Sequence, residues 1–574
     1  PLLPDQLNCG FAGLMTCRLE NIPTDPQADL TLLSIWGDVK GKGLRALLEE
    51  KKSAADYLGG AGVLRSMETS VETLKREDAQ EILFFQQDRA QRLAHLAADM
   101  KRFVAEEEKH LEHPTMAIGS ADLEIVNSRL LLVKDVSWML EHDILDNFHK
   151  IRALSGVSRP TDLPSTAFGK YRKLNLLLNA LDRLEVRGRD SAGLQLTFTF
   201  KRERDLSDAL EKISLRGLTD EYARRTRKSD LFNQTISLSQ TQDPGCPCIT
   251  FTYKTFSIVG ELGRNVSQLR QFIESDRILQ IFAGAESKCE TALSHTRWAS
   301  VGAITEVNCH PVNNHQTTDP VSEYAAYPGR TAEINVVLNG DIDNYDDLRR
   351  ALEQDGELIS PLVTTDTKII PLQIEKYLKT GRNLTEAFRL AVNDFQGSHA
   401  IAMTSNLEPS KMFLALKGSG QSIYVGVSDD QLMFSSELYG LVEVMPRFIK
   451  MNGETAEGSV SGQIFILDQH RGAGLSGISA CFYDGTPLAL SRQSLQTAEI
   501  TTRDIDRSDY PHFFLKEISE SALSIRRTLR GKYHRTEGDR ASVKVTFNLG
   551  PDIVPPAVVT GLKNKTLRHL VVIG

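Results

Sequence analysis

The sequence predicts an α+β protein with more than one domain. Its 574 residues are too many for one ordinary domain. From about residue 40 to residue 180 the apolar residues recur at helical spacing, so that those between Leu93 and Val104 share one face. The stretch 194–200 alternates strictly between apolar and polar residues, as a half-buried strand does. Strand and helix patterns then recur as far as residue 470, and together these observations predict helices and sheets in one chain.

Composition narrows the functional classes. Hydrophobic residues make up 41% and charged residues 25% of the chain, and the net charge is −8. These values give no reason to expect nucleic-acid or membrane binding. The seven cysteines are scattered, which disfavours a disulfide framework, and Cys246 and Cys248 lack the two-pair spacing of a zinc site. We therefore expect a cytoplasmic protein that binds no nucleic acid, no membrane and no metal.

Several segments carry organisational signals. The charged run 106–109 is typical of a solvated helix face, residues 496–508 indicate a polar linker, and residues 510–530 indicate a helix. The chain has no initiator Met, and residues 570–574 have the pattern of a buried strand without a continuation. We expect from this a fragment at both ends.

Several short motifs along the chain contain residue types that can take part in catalysis. Each is weak alone, because a Cys near a terminus is usually a core residue and Asn-Gly is usually a turn. They are Cys-Gly at residues 9–10, Arg-Gly-Arg-Asp-Ser-Ala-Gly at 187–193, His-Thr-Arg-Trp-Ala at 295–299, Asn-Cys-His-Pro at 308–311, Asn-Gly-Asp-Ile-Asp-Asn-Tyr at 339–345 and Thr-Asp-Thr at 365–367.

In this order the motifs resemble the glutaminase domain of the glucosamine-6-phosphate synthase family, the isomerizing glutamine–fructose-6-phosphate aminotransferases. That domain is a class II amidotransferase with an N-terminal nucleophile. The resemblance covers residues 9–15 and most of 180–574. It implies a four-layer αββα sandwich with a helical insertion outside it.

The resemblance also implies boundaries. We expect an amidotransferase domain over 9–470, with a helical insertion at about 25–172 and a second insertion at about 202–247. A linker should follow over 471–509. Residues 510–574 are similar to the connecting helix and first strand of an α/β sugar-isomerase domain.

The family's site residues carry over position by position. The resemblance implies that Cys9 is the nucleophile, with its own α-amino group as base, because such an amine titrates near neutral pH. Asn339 and the N–H of Gly340 would bind the oxyanion. Arg297 would bind the α-carboxylate of glutamine with its planar fork, and Asp366 the α-ammonium.

Further positions match residues that line or organise the pocket. Trp298, Ser300 and His310 are expected to bind substrate, and Arg187 to support the site. The sequence departs from the family pattern at Val301, Leu338 and Lys368, where the family has His, His and Glu. Ser300 keeps the hydroxyl of the family's Thr. Cys9 itself follows eight residues, which block its amine, so the mechanism requires that this leader is removed.

The resemblance further implies glutamine as substrate, fructose 6-phosphate as acceptor through a sugar-isomerase domain absent from this chain, a homodimer in the full-length enzyme, and no cofactor. An alternative is a purine-pathway amidophosphoribosyltransferase, which the leader favours but residues 510–518 disfavour. Asparagine synthetase is weaker still, because no Ser-Gly-Gly pyrophosphate loop is present. The reading from another class is a catalytically silent glutamine-binding or scaffold protein.

Overall fold

The structure is a computed structural model. It describes residues 9–16, 27–112, 120–227, 231–241, 243, 245–257, 261–315, 331–454, 461–529, 533–537, 543–547, 554–569 and 571. The predicted strand at 570–574 and the leader before Cys9 lie outside these residues, apart from residue 571. The chain divides into two compact units, each described here by itself.

The sheet unit comprises residues 1–26, 72–90 and 141–506. Its first sheet has nine strands in the order β15-β12-β10-β11-β1-β5-β2-β4-β3, and its second has six in the order β14-β13-β9-β8-β7-β6. All the strand pairings within these two sheets are antiparallel. The strands are β1 (Gly10–Thr16), β2 (Ser191–Phe200), β3 (Thr235–Ser239), β4 (Cys248–Phe256), β5 (Ser287–Arg297), β6 (Val312–Asn313), β7 (Ile334–Gly340), β8 (His399–Ser405), β9 (Lys411–Lys417), β10 (Tyr424–Val427), β11 (Gln431–Ser435), β12 (Arg447–Lys450), β13 (Gln463–Asp468), β14 (Ile478–Phe482) and β15 (Gln496–Thr497).

The two sheets pack face to face. Phe11 and Met15 of β1 share one buried core with Val337 of β7 and Ala400 of β8, which belong to the other sheet. Period-two alternation produces this arrangement, since successive side chains of a strand point to opposite faces. A strand whose two faces are both covered is buried throughout, as β1 is.

Helices cover the outer faces of the two sheets. Helix α8 contacts β1 and β5 of the first sheet, and α14 contacts β7 of the second. The result is the four-layer αββα sandwich, and the α+β prediction is confirmed. The helices of this unit are α4 (Glu77–Phe85), α7 (Asp146–Leu154), α8 (Ser165–Leu184), α9 (Glu203–Leu215), α10 (Thr219–Thr226), α11 (Arg264–Glu274), α12 (Arg277–Ala283), α13 (Tyr345–Gln354), α14 (Ile369–Lys379) and α15 (Leu384–Asp394).

The helical unit comprises residues 27–71, 91–140 and 507–574. It contains α1 (Ala28–Val39), α2 (Leu44–Glu49), α6 (Ser120–Trp138), α16 (Phe513–Leu529), α17 (Pro556–Lys563) and the hairpin of β16 (Tyr533–Glu537) and β17 (Val543–Phe547). Two further helices, α3 (Ala61–Leu74) and α5 (Gln87–Glu112), and a π-helical turn at Met139–Leu145, span the boundaries between the units.

The two compact units divide the chain at other positions than the predicted domain boundaries, which stay predictions. Residues 72–90 and 141–172 of the predicted insertion group with the sheets, as does most of the predicted linker 471–509, which holds β14 and β15. The solvated face predicted for 106–109 is wrong at Glu107. Its carboxylate is buried, and it accepts hydrogen bonds from the Leu44 N–H (2.8 Å) and the Tyr57 hydroxyl (2.8 Å), which offset the cost of burial.

A buried ionic cluster joins α8 to its neighbours in the sheet unit. The Lys173 ammonium is fully buried and donates to Glu77 of α4 (2.9 Å) and to Glu290 of β5 (2.8 Å). Glu77 also accepts from the Thr16 hydroxyl at the end of β1 (2.8 Å). Residues 72–90 therefore supply a counter-charge that the sandwich itself requires.

Candidate active site

The thiol of Cys9 lies immediately before β1, beside the end of β5. Because Gly10 pairs with Thr296, the Cys9 thiol lies against Trp298, the first residue after β5. The Trp298 N–H donates to the Cys9 sulfur at 3.2 Å, and the thiol faces the Trp298 carbonyl at 3.4 Å. The residue as a whole is half-buried, but the packing around its sulfur raises the pKa of the Cys9 thiol to about 12. The thiol therefore needs a base before it can act as a nucleophile.

The motif at 187–193 holds the Arg297–Trp298 peptide in place. A Cβ on Gly188 would lie 2.5 Å from the Arg297 carbonyl carbon, so only glycine permits this approach. The Asp190 N–H donates to the Arg297 carbonyl (3.1 Å), and the Asp190 carboxylate accepts from the Ala299 N–H (2.8 Å). The Arg-Gly-Arg-Asp run therefore fixes the backbone that contacts Cys9.

Arg187 lies at the start of this motif. Its guanidinium forms an ion pair with Glu437 (2.6 Å) and donates to the Tyr439 hydroxyl (3.1 Å). These contacts anchor the motif to the segment that follows β11. They are compatible with the supporting role expected for Arg187.

Asn339 and Gly340 end strand β7. Asn339 is buried, and its side-chain oxygen has no hydrogen-bond partner among the described residues. Gly340 has a φ of +88°, and a Cβ there would lie 2.2 Å from the Ser398 carbonyl oxygen. The unpartnered oxygen is an acceptor, so it could accept a hydrogen bond from a ligand, whereas binding of an oxyanion would use the amide NH₂ of Asn339 and the N–H of Gly340.

Two buried histidines support the end of β7. The His295 Nε2 lies 2.8 Å from the Leu338 carbonyl and 3.2 Å from Nδ1 of His310, whose Nε2 lies 2.9 Å from the Thr367 hydroxyl. Burial lowers the pKa of His295 to about 3 and that of His310 well below its usual range. Both rings are therefore neutral and act as hydrogen-bonding supports. His310 therefore contacts Thr367, the residue that follows Asp366 in the chain.

Arg297 and Asp366 supply opposite charges next to the thiol. Both side chains are almost fully buried, and both shift the pKa of Cys9, Arg297 downwards and Asp366 upwards. The Asp366 carboxylate accepts from the Ile342 N–H at 2.9 Å. Burial, with the nearby Asp341, raises the pKa of Asp366 to about 6 although Arg297 opposes the shift.

The loop after β5 closes around Arg297. The Arg297 guanidinium donates to the carbonyls of Val301 and Ala303, and the Ala303 N–H donates to the Thr364 hydroxyl (2.9 Å). The hydroxyl of Ser300 donates to Asp341 at 2.6 Å. The structure therefore brings Arg297, Trp298 and Asp366 to the Cys9 sulfur, and it links Ser300 to the residue after Gly340. His310 instead contacts His295 and Thr367, and Arg187 lies on the supporting side. The catalytic and binding roles expected for these residues stay predictions.

Other residues of the site were not predicted from sequence. Asp190 and His295 lie inside the recognised motifs, so their positions were available although their roles were not. Asp341 also lies inside a motif, the one at 339–345, but at a position to which the resemblance assigns no role. Tyr439 and Glu437 meet Arg187 only through the tertiary fold.

Within the described ranges, His, Cys, Asp and Glu side chains form no group of three or more that could hold a metal ion. In the same part of the chain, no helix combines the length and apolar character that crossing a bilayer requires.

Comparison with known proteins agrees with this site. A family model described as a glutamine amidotransferase domain matches residues 321–443, which include Asn339, Gly340 and Asp366. This part of the chain is therefore similar to glutamine amidotransferase domains.

Its curated relatives are more specific. The chain is 27% identical over 298 residues to the isomerizing glutamine–fructose-6-phosphate aminotransferase of Geobacillus kaustophilus, covering 52% of this chain and 43% of the relative. It is 29% identical over 251 residues to the enzyme of the same name from Halalkalibacterium halodurans, covering 44% and 36%. The resemblance inferred from the motifs is confirmed, and the chain spans less than half the length of these relatives.

Among solved structures, the chain matches the glutamine phosphoribosylpyrophosphate amidotransferase from B. subtilis complexed with ADP and GMP. The match has 13% identity and a TM-score of 0.29, and covers 51% of this chain and 49% of that one.

Proposed function

We propose that the chain is a glutaminase that releases ammonia from glutamine through Cys9. The observation that carries this proposal is the thiol of Cys9 held at the Trp298 N–H, with Arg297 and Asp366 close enough to shift its pKa. Nucleophile, positive clamp and negative clamp then lie around one point, as amide hydrolysis of an amino acid requires.

The chemistry follows from these positions. The Cys9 sulfur attacks the side-chain amide carbon of glutamine, and the oxyanion is stabilised by Asn339 and the N–H of Gly340. The bond to nitrogen breaks and ammonia leaves with a proton returned by the base. Water then cleaves the thioester and releases glutamate. Arg297 holds the α-carboxylate and Asp366 the α-ammonium, while Trp298, Ser300 and His310 shape the pocket.

The base in this proposal is the α-amino group of Cys9. A thiol pKa of about 12 leaves almost no thiolate at neutral pH, so a nearby proton acceptor is required. A free α-amine titrates near pH 8, whereas a peptide nitrogen has no basic lone pair. The proposal therefore includes cleavage of the Asn8–Cys9 bond.

The acceptor is proposed from the relatives. They are named glutamine–fructose-6-phosphate aminotransferases, and the chain matches 36–43% of the length of the two described above. We infer that the ammonia serves to convert fructose 6-phosphate to glucosamine 6-phosphate in hexosamine synthesis, in concert with a sugar-isomerase domain and as a homodimer in the cytoplasm. A purine-pathway amidophosphoribosyltransferase remains the alternative acceptor chemistry.

The test combines intact-mass analysis with a glutaminase assay. Protein that begins at Cys9 should release glutamate and ammonia, and protein that begins at Pro1 should be slower by about 10²–10⁴-fold because it lacks the base. Cys9→Ala should be inactive, whereas Cys481→Ala, which changes a half-buried cysteine of β14, should be active. Full activity in Cys9→Ala would overturn the assignment. An inactive protein with a free Cys9 would favour a silent glutamine-binding protein.

The acceptor has its own assay. The isolated chain that begins at Cys9 and ends at Gly574, supplied with glutamine and fructose 6-phosphate, should form glutamate but no glucosamine 6-phosphate. Formation of the amino sugar would place the isomerase chemistry within this chain.

A further inference from the structure

Asp341 joins two parts of the candidate active site that are otherwise separate in the chain. It directly follows Gly340, at the end of the strand that carries the proposed oxyanion donors. Its carboxylate accepts from the hydroxyl of Ser300 at 2.6 Å, and Ser300 belongs to the loop after β5. One hydrogen bond thus connects the end of β7 to this loop.

The loop sets the orientation of the positive clamp. It covers residues 298–303, called here the clamp loop. Its carbonyls at Val301 and Ala303 accept from the Arg297 guanidinium. Its first residue, Trp298, contacts the Cys9 sulfur through its backbone. Any displacement of the clamp loop therefore moves both the guanidinium and the N–H that contacts the nucleophile.

The two ends of the clamp loop are held by hydrogen bonds other than the one from Ser300 to Asp341. The start of the loop is held by Asp190, which accepts from the Ala299 N–H. Its end is held by the Ala303 N–H on Thr364, where Gly302 also packs closely against the Thr364 backbone. Ser300 lies between these attachments and is exposed. Its hydrogen bond to Asp341 and the bond from Arg297 to the Val301 carbonyl together hold the middle of the loop.

We propose that Asp341 is a positioning residue for the glutamine site, which holds the clamp loop in register with Asn339 and Gly340. This inference rests on the proposed glutaminase function. Arg297, which the clamp loop orients, binds the α-carboxylate of glutamine, and the amide carbonyl reacts beside Asn339 and Gly340. The distance between the clamp loop and the end of β7 must therefore match the length of the substrate. Asp341 fixes that separation.

The charge of Asp341 is a separate effect from its hydrogen bond. The carboxylate raises the pKa of both Cys9 and Asp366. Asp341→Asn keeps an acceptor oxygen for Ser300 and removes the charge. Asp341→Ala removes both, and Ser300→Ala removes the hydrogen bond while the charge stays. The three variants separate positioning from electrostatics.

The test measures KM and kcat for glutamine in these variants. Because Ser300 is exposed, loss of its hydrogen bond should have the effect typical of an ordinary bond and raise KM about five- to tenfold in Ser300→Ala and in Asp341→Ala, with a smaller change in kcat. Asp341→Asn should restore most of the KM. The double variant Ser300→Ala/Asp341→Ala should be no worse than the poorer single variant, because both lose the same contact. The control is Asp347→Ala, an exposed carboxylate paired with Arg350 on α13.

A second readout does not depend on activity. The rate at which iodoacetamide alkylates Cys9 should rise in Ser300→Ala and Asp341→Ala, because the clamp loop contacts the sulfur through Trp298, and should stay unchanged in Asp347→Ala. Unchanged alkylation, or unchanged or additive KM values in an active protein, would overturn the role of Asp341. If the unsubstituted mature protein shows no glutaminase, the proposed function fails, and the alkylation rates alone then decide whether Asp341 positions the loop.

Discussion

Gly188 lies directly against the backbone nitrogen of Trp298, where a Cβ would come within 2.6 Å. This nitrogen carries the N–H that donates to the Cys9 sulfur. A residue in a loop motif more than a hundred positions away thus determines where the nucleophile finds its donor. The relationship explains in steric terms why this position is occupied by glycine.

The first prediction concerns Gly188→Ala. The added methyl group must displace the Arg297–Trp298 peptide, and because misplacement of about 1 Å at a reacting centre can cost ~10²-fold, glutaminase activity should fall by about that factor. The measurement is kcat/KM for glutamine beside a thermal melt. Gly37→Ala serves as the control, since a Cβ there meets nothing within 4 Å and alanine favours the helix. Equal activity of Gly188→Ala and the unsubstituted protein would contradict the steric argument.

The second prediction concerns the pH dependence of glutamine binding. The pKa of Asp366 is raised to about 6, so its carboxyl becomes neutral as the pH falls through 6 and no longer pairs with an α-ammonium group. KM for glutamine should therefore rise below about pH 6. In Asp366→Asn this pH dependence should disappear and KM should be high throughout. A profile in which KM stays flat between pH 5 and pH 7 in the unsubstituted protein would count against the role of Asp366.

The raised pKa of Asp366 also affects the folding stability of the protein. As the pH rises, glutamine binding should improve whereas folding stability should fall. A folded-state pKa above the unfolded value means that the folded protein binds more protons between about pH 4 and pH 6, so stability falls as the pH rises through this window. Asp366→Asn should therefore be at least as stable as the unsubstituted protein at pH 7, while it binds glutamine less well. Urea titrations at pH 5 and pH 7 measure this. A destabilised Asp366→Asn would show that the loss of one of the two accepting oxygens, which face the Ile342 N–H and the hydroxyls of Thr365 and Thr367, outweighs the burial of charge.

The third prediction concerns the buried Lys173. Its replacement by methionine would leave the carboxylates of Glu77 and Glu290 buried without their shared ammonium. Removal of one partner from such a cluster typically costs 3–5 kcal/mol, and we expect a loss of about that size in the free energy of unfolding. Lys201→Met is the matched control, because the ion pair of Lys201 with Glu286 is largely exposed and should contribute less than about 1 kcal/mol. A change of less than 1 kcal/mol in Lys173→Met would show that the carboxylates find other partners.

The fourth prediction follows from the division of the chain. Replacement of residues 40–165 by a short linker would remove Glu77 together with α4 and α7, which belong to the sheet unit. The shortened protein should therefore lose its cooperative melt. A soluble, active product would support the self-contained insertion inferred from sequence.

The sequence predicts the layers of the fold better than the boundaries of its parts. The strict alternation at 194–200 is a local signal, and β2 forms there as predicted. The strand is not half-buried, however, because its polar face is covered as well. The burial of Lys170, Arg172 and Lys173 on α8 has no local signal in the sequence. Three cations in a helix are typical of a solvated face, but all three are buried, because Glu77, Glu290 and Gln80 meet them from distant parts of the chain.

The same contrast holds for the site. Cys9, Arg297 and Asp366 were found because each lies in a motif whose order along the chain is informative. Asp341 was not, because a carboxylate after Asn-Gly is an ordinary turn residue until the fold places Ser300 beside it. Motifs identify residues that touch substrate, whereas residues that hold those residues in place are identified by contacts.

The central position of β1 has a consequence for the timing of biosynthesis. Phe11, two residues after Cys9, donates its backbone N–H to the side chain of Ser436, 425 residues further along the chain. At translation rates of about 5–20 residues per second, the ribosome needs about 20 to 90 s to deliver that partner. During that interval β1 lacks its neighbour β11, although the Cys9 thiol just before β1 was among the first groups to be synthesised. A nascent chain therefore carries its proposed nucleophile long before it can complete the sheet around it, and activity should appear only after β11 has been synthesised.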